Sequence, residues 1–550
     1  MILISIYATG FAIALGTILS MLRARLGILL PIGLLVASAA AIFGSIFLPT
    51  VLYFHDTYLG DLWTAFEAAN KSANGLASSK DYFSPIGPIY DWVFRLAAAT
   101  GPLDASIVPR ASGLFALGVA ALACVVLWGR VSATSLALCV FIAVAAAVSP
   151  REIELLAAEA DASWLAPYNR WAWGMSVITT MALVAPRASM GLAAAMLTGV
   201  SLAVLLLLKI TYGMALLGLF ILAVPLTKLP VRTAAIILAS VMLTLGLAQL
   251  LTGQILPYLN DLVIVSGIDS NGLRMHKLLS QIGEMSFWIL VAWAVLGTVL
   301  AFRRAAQDPV DPVLFWQTAA LIAVIGVMAC AILMQNHYAS GSPLYALLVV
   351  IAAERAGAFH DLPFDFKRAI TPLVLVLALP FSVMDVGHLM GQFAQTARIL
   401  ANPNRGELRT RALILHERYN VQPCSKSACI DWTRMEEGLK ALRELGAADE
   451  SAGAVAALNF SNPFPFGLKR PSPPRIPIWL HVNRSFSANV HIPPEIFFEE
   501  VGFVAVAKLE PNSVVLFETY GDYVKMHFDL VADLDHWTIY RLKPSPARSS

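Results

Sequence analysis

Residues 53–95 read YFHDTYLGDLWTAFEAANKSANGLASSKDYFSPIGPIYDWVFR, the first long polar stretch in an otherwise apolar chain. A hydrophobic run ends just before it at Leu52, so Asp56 and Asp61 fall within one or two helical turns of a membrane exit. From there Leu62, Ala65, Phe66, Ala69 and Ala73 recur at helical spacing, which predicts an amphipathic helix lying at the interface. Ser84-Pro85-Ile86-Gly87-Pro88-Ile89-Tyr90 then makes a turn back to an apolar surface. An acidic pair, an interfacial helix and a Gly/Pro turn together describe a roof over a membrane-embedded site.

Of the 550 residues, 58% are hydrophobic and 13% charged. A soluble domain carries roughly 25% charged residues, so this composition belongs to a polytopic membrane protein. The apolar runs reach the ~20 residues that a bilayer crossing requires. The predicted spans are 2–22, 28–52, 109–128, 133–149, 173–185, 190–208, 210–227, 233–252, 286–302, 313–334, 343–354 and 369–386. The first is read as a retained span, because no basic segment precedes it and no small-residue cleavage site follows it. A net charge of +2 without an aromatic-interleaved basic cluster gives nucleic acid no purchase.

The short basic connections fix an orientation. Arg23 with Arg25, Arg130, Arg187, Lys228 with Arg232, Arg303 with Arg304, and Arg355 with Lys367 and Arg368 all fall on one side if both termini lie outside. The opposite face then receives the loops 53–108, 150–172, 253–285 and 335–342, and everything after residue 386. The division is a membrane domain over 1–386 and a soluble α/β domain over 387–550. In the latter, helices are predicted at 405–418 and 432–446, and strands at 454–460, 476–482, 501–508, 513–518 and 536–542. Cys424 and Cys429, in an oxidising compartment, are expected to form a local disulfide.

Several side chains carry chemistry in this frame. Asp61 directly precedes the predicted helix and suits an N-cap. Asp56 has no such duty, and burial at the membrane edge raises a carboxylate toward the range of a useful base. Both are candidate catalytic groups. Asp81, in KDYFSP, is either a turn former or a substrate contact. Arg170, Lys209, Arg274, His276, Lys277 and His337 are cations suited to lipid phosphates, each weighed against a role as an interfacial anchor. Lys209 is the lone cation between two apolar runs, where an ionisable group snorkels or faces a polar cavity. No P-loop, dinucleotide fingerprint or metal-ligand spacing is present, so no cofactor is expected. A divalent metal is compatible with the chemistry, but no ligand pattern indicates one.

An acidic first outer loop, an interfacial helix and the Gly87-Pro88-Ile89-Tyr90 return resemble the GT-C glycosyltransferases. The likeness is strongest to the bacterial branch that includes the aminoarabinose and protein-mannosyl transferases. Asp56 or Asp61 matches that branch's acidic residue, and Pro88-Ile89-Tyr90 its Pro-Leu-Tyr-type turn, which makes Tyr90 a substrate-binding candidate. Lys209-Ile210-Thr211-Tyr212-Gly213 is also similar to a stretch of such chains. Two departures stand out: a span precedes the acidic loop, and His55-Asp56 occupies the place of an adjacent acidic pair. The resemblance implies inverting sugar transfer at the periplasmic face of a bacterial inner membrane. The donor would be a polyprenyl-phosphate-linked sugar, and the acceptor an envelope glycan, lipid or protein. The competing readings are a transporter or flippase of a lipid-linked saccharide and a non-catalytic assembly scaffold.

Overall fold

The computed structural model describes residues 26–48, 52–54, 59–150, 166–185, 190–268, 312–333, 342–355, 379–401, 421–423, 428–508 and 510–544. Its helical body contains α1 (Leu26–Phe47), α2 (Leu59–Ala73), α3 (Ile89–Thr100), α4 (Ile107–Leu127), α5 (Ala133–Val148), α6 (Pro167–Val184) and α7 (Leu192–Leu208). It continues with α8 (Ile210–Leu226), α9 (Val231–Thr252), α10 (Ile255–Ser266), α11 (Pro312–Leu333), α12 (Pro343–Arg355) and α13 (Pro380–Ala401). Most of the predicted spans that fall on described residues coincide with these helices to within a few positions. The last does not end at residue 386: α13 runs on to Ala401. Gly387 and Gly391 lie within it, because its continuation as a helix costs only ~1 kcal/mol per glycine. The spans 2–22 and 286–302 lie outside the described residues.

Four described helices are long and apolar enough to cross a membrane: Leu29–Phe47, Ile107–Leu127, Val231–Thr252 and Trp316–Leu333. Their outward faces carry bare aliphatic side chains, with Leu250 and Leu251 of α9 more than 80% exposed. Water would not tolerate such a surface; a hydrocarbon phase does. At the centre α5 and α6 are buried on nearly every side, packed against each other and against α4, α7, α12 and α13.

Polar groups mark the two ends of α6. At its C-terminal end, Arg130 donates to Ala182 O (2.8 Å) and Arg355 to Val184 O (3.2 Å), so two of the predicted one-sided cations meet there. Glu354 beside them accepts from Ser132 N (3.0 Å) and Ser132 Oγ (2.8 Å). The two arginine bonds occupy carbonyls that the helix end leaves unpaired. Lys209 and the Gly87–Tyr90 turn lie at the opposite end.

Over residues 454–542 a four-stranded sheet has the order β3-β4-β6-β5, from β3 (Ala454–Leu458), β4 (Val501–Ala507), β5 (Phe528–Asp533) and β6 (Trp537–Leu542). β3 and β4 are parallel, while β6 runs antiparallel to both its neighbours. Val455, Ala457, Phe503 and Ala505 face a core shared with α14 (Ala428–Glu444) and α15 (Phe464–Leu468). Ala456, Leu458, Val504 and Val506 face another, built with α16 (Pro494–Phe497) and α17 (Pro511–His527). Strands covered on both faces read as unbroken apolar runs, which is why AVAAL and VGFVAVA were legible.

Two strand expectations fail. Residues 513–518 belong to α17: Pro511 opens the helix, Glu510 caps it by accepting from Asn512 N, and Ser513, Leu516, Tyr520 and Val524 form one buried face. The six-residue window SVVLFE, with two valines, is too short to show that longer period. Residues 476–482 form no strand, since Pro477 interrupts any ladder there. The edge strand β5, with Asp529 and Asp533 in it, was unanticipated. The predicted helix at 432–446 is α14, while 405–418 and Cys424 lie outside the described residues, as does the side chain of Cys429.

The C-terminal part is tied to the first loop at two places. β1 (Leu52–Phe54) pairs in parallel with β2 (Val421–Pro423), with Tyr53 opposite Gln422. Beyond it, α2 is buried on its polar side as well: Glu67, Asn70, Lys71 and Ser72 are all at most 1% exposed. This corrects the expected interfacial helix. Leu62, Ala65, Phe66 and Ala69 are buried as predicted, but Ala73 is exposed, and residues 460–473 cover the face expected to be solvated.

Candidate active site

The site grows from a break. α7 ends at Leu208, α8 begins at Ile210, and Lys209 between them is extended (φ −157°, ψ 111°). Its N–H donates to Leu205 O (2.9 Å), and its carbonyl accepts from Tyr212 N (3.0 Å), so the one residue closes one helix and opens the next. The break also frees the Leu208 carbonyl, which accepts from Gly87 N (3.2 Å) of the Gly-Pro-Ile-Tyr turn. A Cβ on Gly87 would lie 1.9 Å from Leu207 O, so the close approach admits glycine alone. Gly87→Ala is expected to cost about 3 kcal/mol, the upper end of ordinary overpacking, because the obstacle is backbone. Gly118→Ala, with nothing within 4 Å, is the control that should be silent in the same thermal unfolding measurement.

Docking of the turn brings two predicted residues, Tyr90 and Lys209, to the same tyrosine ring. Tyr90, in the first turn of α3, is buried against Tyr168 (5.4 Å between ring centroids) and Trp171 (5.5 Å) at the start of α6. The Lys209 ammonium lies 5.1 Å from the Tyr168 ring centroid and 5.8 Å from that of Tyr212, and it donates to Asn169 Oδ1. Arg170, buried, is the next residue along that first turn. Thus α3, the N-terminal end of α6 and the α7–α8 break bring Tyr90, Tyr168, Asn169 and Lys209 to one patch, with Arg170 next to it along the chain. A cation beside a helix N-terminus makes a setting that favours an anion.

A polar brace behind the patch holds the loop in place. Asp91 is buried and accepts from Ser78 N (2.6 Å) and Tyr82 Oη (2.9 Å). Asp261 accepts from Ser84 N (2.9 Å), and Gln254 accepts from Trp92 Nε1 (2.8 Å) while donating to Ser78 O (3.2 Å). Burial pushes the Asp91 carboxyl up to about 6, and that of Asp261 to about 6 as well. A raised carboxylate contributes stability in full below its unfolded value of 3.8 and loses it as pH rises through about 6. Asp91→Asn is therefore expected to gain thermal stability relative to the wild type as pH rises from about 4 to about 7, and a pH series of melting temperatures checks it.

Asp81 sits elsewhere in the loop, closing a turn by accepting from Ala77 N (2.7 Å). Asp61 is the third residue of α2 and not its N-cap, because the helix already begins at Leu59. The Gly60 carbonyl is held there by Thr64 Oγ1 and Ser461 Oγ, both at 3.0 Å. Asp56, Arg274, His276, Lys277 and His337 lie outside the described residues. The sequence reading missed Asn169 and Tyr168 as partners of Lys209, and Asp91 and Gln254 as braces. Their only signal is polarity amid aromatics, as in PYNRWAW. Among the described residues no group of three or more His, Cys, Asp and Glu side chains is placed to hold a metal ion.

No protein-family model matches the chain, and no curated protein sequence matches it significantly. The solved structures similar to it include two of ArnT. One is ArnT from Cupriavidus metallidurans bound to undecaprenyl phosphate, 13% identical over 95% of this chain and 99% of that one, with a TM-score of 0.49. The other is ArnT from Cupriavidus metallidurans in the apo state, 12% identical over 92% and 97%, with a TM-score of 0.38. Both are likenesses of chain path, and no residue role is transferred from them.

Proposed function

We propose that this chain is a membrane glycosyltransferase that takes a sugar from a polyprenyl-phosphate donor. The observation that carries the reading is the convergence of Tyr90, Tyr168 and Lys209, from three separate segments, on the helix break where the Gly87 turn docks. A lysine at such a break, inside an apolar bundle, is costly to keep and marks a functional site. Its charge-assisted bonds suit a phosphate oxygen, and Arg170 adds a planar fork. The lipid tail would lie along the bare aliphatic surface of the bundle.

In this reading the transfer takes place at the outer, periplasmic face. Asp56, with Asp61 as the second carboxylate of the loop, takes the proton from an acceptor hydroxyl as it attacks the anomeric carbon. The C–O bond to the phosphate breaks on the opposite side, inverting that centre, while Lys209 and Arg170 hold the phosphate monoester that leaves. Polyprenyl phosphate is then a product whatever the sugar, and the acceptor is a glycan, lipid or protein of the envelope. Release of undecaprenyl phosphate is therefore the test. The purified protein is incubated in nanodiscs with total lipid extract of bacterial membranes, and mass spectrometry follows free undecaprenyl phosphate. Time-dependent release is expected. Transport of intact lipid-linked saccharide with no release would favour the flippase.

A further inference from the structure

We propose that residues 460–473 position α2, which carries Asp61 in its first turn and follows Asp56 in the sequence, and that Ser472 is the positioning residue of this clamp. The inference rests on the glycosyl-transfer reading. Buried Ser472 accepts from Asn70 Nδ2 (2.8 Å) and donates to Glu67 Oε2 (2.8 Å), so its one hydroxyl joins two side chains of α2. Asn70 Nδ2 also donates to Arg470 O (2.8 Å), and Lys71 Nζ donates to Pro473 O. Lys71 and Glu67, both fully buried, form an ion pair at 3.8 Å within the helix. At the start of α2 the Ser461 hydroxyl donates to the Gly60 carbonyl, and a Cβ on Gly60 would meet Phe460 at 2.8 Å. The contact therefore begins one residue before Asp61.

The network does more than hold two surfaces together. Apolar packing does that already, with Phe66 stacked on Phe466 at 4.7 Å between centroids. A buried ion pair is often matched or surpassed in stability by apolar residues of similar volume, so adhesion does not account for one here. Directional bonds do something packing cannot: they admit one rotation and one register of the helix. Sliding α2 by a single residue would break the bonds of Glu67, Asn70 and Lys71 at once. Burial opposes charge on both partners of the pair, raising Glu67 and lowering Lys71, so the Ser472 hydroxyl and the Pro473 carbonyl are needed to keep the arrangement in place.

The full-length protein in nanodiscs, supplied with bacterial lipid extract, gives two readouts: the rate of undecaprenyl phosphate release and the affinity for added undecaprenyl phosphate. Ser472→Ala should slow release by about 100-fold, the effect of misplacing a reacting group by an ångström, at unchanged affinity. Ser472→Thr, which keeps the hydroxyl, should restore the rate. Glu67→Gln, similar in shape but without the charge facing Lys71, is the second variant, with slower release and retained affinity expected. Wild-type release by Ser472→Ala and Glu67→Gln overturns the proposal. So does a joint loss of rate and affinity in both that Ser472→Thr leaves unrescued, since that is a fold effect. A wild type that neither binds nor releases the lipid contradicts the glycosyl-transfer reading instead, and the unmutated control distinguishes that failure.

Discussion

Asp56→Asn is expected to slow sugar transfer by about 100- to 10,000-fold, the usual worth of a general base. Asparagine keeps the shape and the hydrogen-bonding capacity, so folding and lipid binding should be unchanged while the proton acceptor is gone. The rate of undecaprenyl phosphate release measures the effect directly. Asp61→Asn is the comparison. Asp61 lies within the first turn of α2, where losing a charge costs roughly 0.3–1 kcal/mol of helix-dipole energy, and its activity should stay near normal. Exchanged phenotypes would move the base to Asp61 and leave the rest of the mechanism standing. If both variants transfer sugar at the wild-type rate, the loop that follows α1 is not the catalytic loop.

Lys209→Met is expected to act on affinity. Methionine keeps much of the length and none of the charge, and a hydrogen bond to a charged group contributes about 1.5–3 kcal/mol. Affinity for undecaprenyl phosphate should fall by about 10- to 100-fold, as a titration monitored by native mass spectrometry would show. The variant also leaves Asn169 Oδ1 without its lysine donor, so part of the loss comes from the pocket itself. The contrast with Asp56→Asn is diagnostic: one variant should weaken binding, the other should slow turnover with binding intact. Should Lys209→Met bind the lipid as the wild type does, the break is an architectural joint and the phosphate lies elsewhere.

The parts of this molecule that a one-dimensional pattern encodes were legible in its sequence. Helices such as α4, α5 and α9 are continuous apolar runs, and β3 and β4 are apolar because both their faces are covered. Lys209 stood out as a lone cation in an apolar context, and the Gly87–Tyr90 turn as a Gly/Pro cluster. What remained hidden depends on partners distant along the chain. Nothing local to Gly87 reveals that Leu207 O lies 1.9 Å from where a Cβ would be. Asn169 is forty residues from the lysine whose ammonium it accepts. The error over α2 is the most instructive. Glu67, Asn70 and Lys71 look like a solvated face, and they are buried because Arg470, Ser472 and Pro473, some four hundred residues away, complete their hydrogen bonds. A polar helix face predicts polar partners, and water is only the commonest of them.

The most direct test of the account is a cryo-electron microscopy structure of the protein in nanodiscs with undecaprenyl phosphate added. The account predicts phosphate density within hydrogen-bonding distance of Lys209 Nζ, beneath the Gly87–Tyr90 turn, with the prenyl chain leaving along the exposed aliphatic surface of the bundle. Phosphate density at a site away from Lys209, Arg170 and Tyr90, or an empty break at saturating lipid, would contradict it.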